Sequence, residues 1–332
     1  MSRNQRIYLG VLAFISGACV MTVEMAGQRS LAPHFGSSYY IWTNVIAIIL
    51  AALSLGYWFG GRIADKRPQL TVLLGIVAGA GLLCMGVPFL VGALGEALVP
   101  EGTGIENSFR IIFLGSFVET LLLFAPPVFL LAMVTPFITR LWASGREDVG
   151  RSAGLVVALS TMGSIVGTFL PTLFLIPAVG TRLTIVLAAG VLEVVAVGGL
   201  GAFGRGRVRV AAPLLLLGLI PAFAVGLLPI KDTPGLVEEE ESRYQYVQIR
   251  RDGDTTYLTL NEGLDTWHSV RVKDRFLTEG KYYDYFNLIP LYFNPRLRPK
   301  LRILVVGLAG GTIARQLHHF FGEMFDLEID GV

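Results

Sequence analysis

Up to about residue 230 the chain shows no alternation of apolar and polar positions. It runs apolar for about twenty residues at a time between short polar turns, the length a helix needs to cross a hydrocarbon layer. Seven such runs read as transmembrane helices: Ile7–Ala26, Ile41–Gly61, Leu70–Leu94, Phe113–Leu141, Ser152–Ile176, Leu183–Phe203 and Val208–Leu228. The first is too long for a signal peptide, and Glu24 stands where a small-residue cleavage site would be. The fourth is over-long and carries Pro126-Pro127, which predicts a kink. Glycines at four-residue spacing (Gly56 and Gly60, Gly75 and Gly79, Gly163 and Gly167) predict close helix packing. Ala32-Pro33-His34-Phe35-Gly36 is echoed by Ile176-Pro177-Ala178-Val179-Gly180, a loose sign of an internal repeat.

From residue 231 the period changes. Residues 231–240 are a polar linker with a glutamate run. Tyr244–Arg250 and Thr255–Leu260 alternate around Asp252-Gly253-Asp254, a hairpin signal. Tyr282–Phe293 reads as an aromatic-rich helix ending before Pro295. Ile303–Val306 then reads as a buried strand, Gly311–Phe320 as a helix and Leu327–Val332 as a second, parallel strand. The predicted fold is a multi-span α-helical membrane bundle of about seven transmembrane helices, then a small β-domain and the start of a Rossmann-like α/β domain. The corresponding domains are 1–230, 231–300 and 301–332.

Composition agrees with this division. Hydrophobic residues make up 53% of the chain and charged residues 16%, against about 25% charged in a soluble domain. A disproportionate share of the charges lies after residue 231. The net charge of +2 implies no nucleic-acid partner. Cys19 and Cys84 fall in apolar runs and form no disulfide framework, and no metal pattern is present: His318 and His319 read as solvent-facing at a helix end, and His268 stands apart.

Basic residues mark one side of the bundle: Arg3 and Arg6; Arg62, Lys66 and Arg67; Arg140, Arg146 and Arg151; Arg205, Arg207 and Arg209. The positive-inside rule then puts the N-terminus in the cytoplasm, and seven crossings put residue 231 onward outside. The expected location is a bacterial inner membrane. Gly60-Gly61-Arg62-Ile63-Ala64-Asp65-Lys66-Arg67 resembles the loop between the second and third helices of major-facilitator transporters, although seven spans are too few for that twelve-helix fold. Glu24, Glu119 and Glu193 lie inside spans, where a carboxylate faces the bundle interior or a water-filled cavity. Glu24 has Arg29 about one and a half turns on, so the two read as a structural ion pair or as a cation or polyamine site.

The glycine cluster Gly307-Leu308-Ala309-Gly310-Gly311 follows a strand and opens a helix. Gly307 makes the tight turn. Gly310 and Gly311 let backbone approach a ligand, and the helix N-terminus offers free N–H groups. Asp330 on the next strand lies near the distance at which an acid would hold a ribose.

Taken in order, Glu241-Ser242-Arg243-Tyr244-Gln245, Leu260-Asn261-Glu262-Gly263, Tyr282-Tyr283-Asp284 and the glycine cluster resemble the polyamine aminopropyltransferases (spermidine synthases). Glu24 to Gly36, Trp42 and Leu53-Ser54-Leu55-Gly56-Tyr57 look like their membrane-fused branch. The resemblance implies a transferase that moves an aminopropyl group from decarboxylated S-adenosylmethionine, or a related adenosyl ligand, to an amine. It implies adenosyl contacts from Gln245, Gly307, Leu308, Ala309, Gly310, Gly311 and Asp330, and amine contacts from Tyr244, Tyr282, Tyr283 and Asp284. Two departures stand out: Tyr283 replaces the family's histidine, and Gly310 replaces an acid that meets an ammonium. The family's catalytic aspartate is expected beyond Val332, so residues 1–332 are expected to be inactive by themselves. A transporter or sensor with a degenerate adenosyl- or polyamine-binding domain, and a methyltransferase-like enzyme with a membrane substrate, are the alternatives. The expected partners are the bilayer, the adenosyl ligand, a polyamine and a second copy of the chain.

Overall fold

A computed structural model describes residues 2–99, 105–143, 149–204, 216–231, 233–242, 244–260 and 267–332. Arg146, Arg205, Arg207, Arg209, Arg243, the Asn261-Glu262-Gly263 stretch and the first part of the Val208–Leu228 run lie outside the described residues. The chain forms two compact units, one of Met1–Ile230 with Glu241–Tyr244, the other of Lys231–Glu240 with Gln245–Val332.

Up to Ile230 the described residues of the first unit hold the helices α1 (Arg3–Phe35), α2 (Tyr39–Lys66), α3 (Leu70–Leu98), α4 (Ile105–Leu123), α5 (Ala125–Ala132), α6 (Val134–Trp142), α7 (Val149–Leu170) and α8 (Ile176–Phe203), with a further short helix at Leu219–Gly226. Among the described residues, five helical runs are long and apolar enough to cross a membrane: α1, α2, α3, Ala125–Trp142 and Val149–Phe203. Many of their exposed side chains are apolar, including Leu50, Phe169, Phe174 and Val194, the reverse of a helical bundle built for water. This is an integral membrane bundle.

α1 opens with a capping box, in which the Gln5 N–H donates to Ser2 Oγ and the Ser2 N–H to Gln5 Oε1. It runs nine residues past the predicted end at Ala26 and touches each of α2 to α8. Its buried positions face other helices and its exposed ones, such as Ile7 and Val11, are apolar as well, which is why no amphipathic pattern marks it.

The glycines set how closely it is packed. A Cβ on Gly163 or Gly167 would collide with the α1 backbone at Phe14 or Ala18, and one on Gly17 with the α7 backbone at Ser160. The hydroxyls of Ser164 and Thr22 donate across this contact to Gly17 O and Gly167 O, at 3.3 and 3.4 Å. Gly56 and Gly60 do the same for α2 against Phe129 and Met133. The Gly75/Gly79 pair departs from the expectation: among the described residues nothing lies within 4 Å of a Cβ on Gly75, and only a leucine methyl lies near Gly79.

One predicted span is subdivided, and two others, Ser152–Ile176 and Leu183–Phe203, run on as one helical stretch with breaks inside it. Phe113–Leu141 breaks at Phe124, because Pro126 and Pro127 have no N–H to give and instead take first-turn positions in α5, and again at Met133, where Pro136 takes a first-turn position in α6 for the same reason. In Val149–Phe203, Pro171 opens a single π turn through Leu175, and Gly180 breaks the helix at φ 80°, ψ 168°. Gly36, which ends α1, has φ 80°, ψ −162°. The two echoed segments therefore share a backbone conformation that only glycine adopts easily, each three residues after a proline.

The second unit begins with a four-stranded antiparallel sheet in sequential order, β1 (Leu236–Glu241), β2 (Tyr246–Asp252), β3 (Thr255–Leu260) and β4 (Ser269–Val272). The Asp252↔Thr255 pair closes the predicted hairpin over Gly253-Asp254, with Gly253 at φ 53°. Tyr282–Phe293 is not one α-helix. It is a single α turn, Tyr282–Tyr285, followed by a 3₁₀ stretch over Phe286–Tyr292 that contains Pro290. A parallel pair follows, β5 (Lys300–Val305) and β6 (Asp326–Gly331), joined through the helix Thr312–Phe321. Leu301, Leu317, Phe321 and Phe325 form its small core.

Gly163→Val is expected to destabilise the bundle by about 1–3 kcal/mol, the usual cost of overpacking a tight contact, whereas Gly75→Ala is expected to be neutral or slightly stabilising. Thermal unfolding of both variants in detergent checks the difference.

Candidate functional site

The β5–helix connection lies at the carboxyl end of the parallel strands, where open α/β sheets bind ligands. Gly307, Ala309 and Gly311 all have positive φ, at 83°, 46° and 77°. A Cβ on Gly307 or Gly311 would meet nothing within 4 Å, so it is conformation, with open space alongside, that favours glycine there. The N–H groups of Gly307 and Leu308 donate to Val332 O at 2.8 and 3.1 Å, which ties the turn to the end of β6. Those of Thr312, Ile313 and Ala314 begin the helix and have no acceptor earlier in it.

The Gly310 N–H donates to Ser269 Oγ at 2.7 Å, and a Cβ on this residue would lie 2.9 Å from Ser269 Cβ and 3.3 Å from Leu258. The glycine permits close approach to β4. Next to it, the Thr312 hydroxyl donates to Val270 O and accepts from Val270 N–H, both at 3.0 Å. The antiparallel sheet thus holds the turn and the helix start together.

Asp284 extends this hold. Its carboxylate accepts from the Thr278 N–H and hydroxyl, the Gly280 N–H and the Gln316 amide, at 2.7–3.0 Å. Gln316 also donates to Phe276 O and accepts from Asn287. Burial alone would raise the carboxyl, but these bonds outweigh it and hold Asp284 below the usual carboxylate range. The residue read as an amine contact is therefore bound into the loop before the glycine turn. Sequence reasoning missed Ser269, Thr312 and Gln316, since their partners lie 29 to 42 residues away along the chain.

Of the other predicted residues, Tyr283 is buried, donates to Trp267 O at 3.0 Å and stacks near Tyr282, whose ring centroid is 3.9 Å away. Burial, then Tyr282, pushes its phenol up, so it stays protonated. Tyr282 is more than half exposed. Tyr244 is almost fully exposed and groups with the first unit, and Gln245 is half-buried at the start of β2. Asp330 is exposed on β6, in register with Leu304. Lys281 lies 4.2 Å from the Trp267 ring centroid, and Arg250 lies 5.4 Å from that of Tyr257, so the protein's own cations cover these aromatic faces.

In the bundle, Arg29 does not pair with Glu24. It donates to Ser242 O at 2.9 Å and takes Glu241 as its charge partner. Glu241 also accepts from the N–H and hydroxyl of Thr181, just after the Gly180 break, and so caps the helix limb that starts there. Glu24 is half-buried. Glu119 and Glu193 are fully enclosed, with no hydrogen-bond partner for either carboxyl group among the described residues. Among the described residues no group of three or more histidines, cysteines or acids is placed to hold a metal ion.

No family model, curated protein or solved structure matches this chain.

Asp284→Ala would strand three or more donors and is expected to cost the second unit about 1–3 kcal/mol. Because the folded-state carboxyl is depressed, its stabilisation is present above the ordinary aspartate value of about 4 and is lost as pH falls below that through the depressed value. Unfolding followed from pH 6 to pH 2 should therefore show a shallower acid loss in Asp284→Asn than in the parent.

Proposed function

We propose that the second unit binds an adenosyl ligand at the Gly307–Gly311 turn, within a membrane-anchored protein of the aminopropyltransferase type. The observation that carries this reading is the turn itself: left-handed residues with nothing within 4 Å of a Cβ on Gly307 or Gly311 among the described residues, at the carboxyl end of β5, leading into a helix whose N-cap has no side-chain hydrogen bond. Asp330, one strand over, suits a ribose hydroxyl. In the transfer that the resemblance implies, an amine nitrogen attacks the carbon next to the sulfonium, the carbon–sulfur bond breaks, the thioether leaves and the nitrogen gives up a proton. The protein's share is to hold the donor in line with the amine. Residues 1–332 are assigned the first half of that task, donor binding, with Gly307, Gly311, the Thr312–Ala314 N–H groups and Asp330 as contacts and Gln245 as a further one.

A second reading is favoured by Asp284 and Gly310. With one acid bonded into its own loop and the other replaced by glycine, amine binding is weak and the unit serves as a sensor of the adenosyl ligand alone.

Calorimetry on the full chain in detergent tests both readings, with decarboxylated S-adenosylmethionine and methylthioadenosine as probes. The parent is expected to bind, and Gly311→Val, which cannot easily hold φ 77°, is expected to bind at least about tenfold more weakly. Equal affinity in the two proteins contradicts the site. Tightening by added putrescine supports the transferase reading, and indifference to it the sensor.

The proposed topology has seven crossings: α1, α2, α3, α4 to α6 together, α7, the limb after Gly180, and residues 208–228. An N-terminus in the cytoplasm then puts the second unit outside, which fits the sensor reading; the transferase reading, whose donor is made in the cytoplasm, needs the opposite topology. Asp254→Cys, in the hairpin turn, should react with an impermeant maleimide in intact cells. Reaction only after permeabilisation reverses the topology and returns the unit to the side where adenosyl donors are made.

A further inference from the structure

The membrane unit contains a cleft of about 1050 Å³ that the adenosyl reading does not use. Three helix faces converge on it. α2 contributes Tyr57 and Asp65 two turns apart, α6 contributes Thr139 and Arg140, and α7 contributes Thr161 and Ser164. Residues three, four or eight apart share a helix face, so these polar groups form stripes aimed at one space. Within a lipid-spanning bundle, polar side chains face protein or water.

Its chemistry has both signs. Arg140 Nε meets Asp65 Oδ1 at 3.2 Å through a single contact, with both side chains at least half exposed. The two Nη atoms of Arg140 and Oδ2 of Asp65 have no partner among the described residues. The Thr139 and Ser164 hydroxyls donate to Thr135 O and Gly17 O at 2.9 and 3.3 Å, which leaves their lone pairs free to accept. Tyr57 and Thr161 make no hydrogen bond among the described residues. A dication would meet Arg140, and a dianion would meet Asp65. A molecule carrying one charge of each sign can offer its carboxylate to the guanidinium and its ammonium to Asp65 and the hydroxyl oxygens.

We infer that this cleft is a binding site for a small zwitterion of the α-amino-acid class, which opens the single-contact Arg140–Asp65 pair by engaging both partners. The inference does not rest on the adenosyl reading, and the two sites lie in different units.

The test uses the full chain purified in detergent, with the twenty common L-amino acids, putrescine and succinate as probes in an equilibrium binding assay. At least one amino acid with an uncharged side chain should bind saturably and one to one, with putrescine and succinate weaker. Arg140→Gln and Asp65→Asn should each weaken that binding at least tenfold, and Gly311→Val should leave it unchanged. A second measurement does not depend on altering the charges. Thr161→Cys should be modified by a charged methanethiosulfonate and protected by the bound amino acid, over a low background because Cys19 and Cys84 are buried. Failure of every amino acid to bind, preference for putrescine or succinate, undiminished binding by both charge variants, or an unreactive Thr161→Cys in folded protein would each overturn the proposal.

Discussion

The membrane unit depends on how closely α1 can lie against α7. Lipid tails are as apolar as the helices themselves, so burial gives little drive for helices to associate and close packing must supply it. At Gly17, Gly163 and Gly167 a single added carbon would fall on backbone of the facing helix. Removing it from all three lets the Ser164 and Thr22 hydroxyls reach across to backbone carbonyls. With α7 seated there, α1 becomes the helix that the others pack around, and α3 against α8 completes the layer. The same contact places the Thr161–Ser164 face of α7 along the polar cleft, so packing and proposed ligand binding share one helix.

The second unit solves a different problem. Its parallel pair and single helix form a core of only a few side chains, too small to hold a strained turn by hydrophobic burial alone. The antiparallel sheet supplies the hold instead, through Ser269 to Gly310 and Val270 to Thr312, while Asp284 and Gln316 fasten the loop before the site to the helix. Of the left-handed residues in the turn only Ala309 costs conformational energy, and this network keeps the turn in place without a ligand.

Much of this was legible in the sequence, and the reason is local. Apolar run length marked the helices, alternation around Asp252-Gly253-Asp254 marked the hairpin, and Gly307 to Gly311 marked the turn, because each signal lies within a dozen residues. The Pro-x-x-Gly echo pointed to Gly36 and Gly180, though it did not reveal that both leave the helix with nearly the same φ and ψ. Partners chosen across the fold were not legible. Arg29 pairs with Glu241 instead of Glu24, Gly310 yields to Ser269, and Asp284 is taken up by Thr278, Gly280 and Gln316. Spacing carries no record of such choices. Gly75 and Gly79 make the same point from the other side, since the four-residue pattern is present and, among the described residues, no backbone of a facing helix lies within 4 Å of a Cβ on either.

The central claim for the second unit is that the helix start after the glycine turn receives the ligand. Hydrogen–deuterium exchange on the full chain, with and without methylthioadenosine, reads those N–H groups directly. The account predicts slowed exchange at Thr312, Ile313 and Ala314 with little change in the β2–β3 hairpin. Unchanged exchange at these three amides under saturating ligand, or protection confined to other segments, would contradict it.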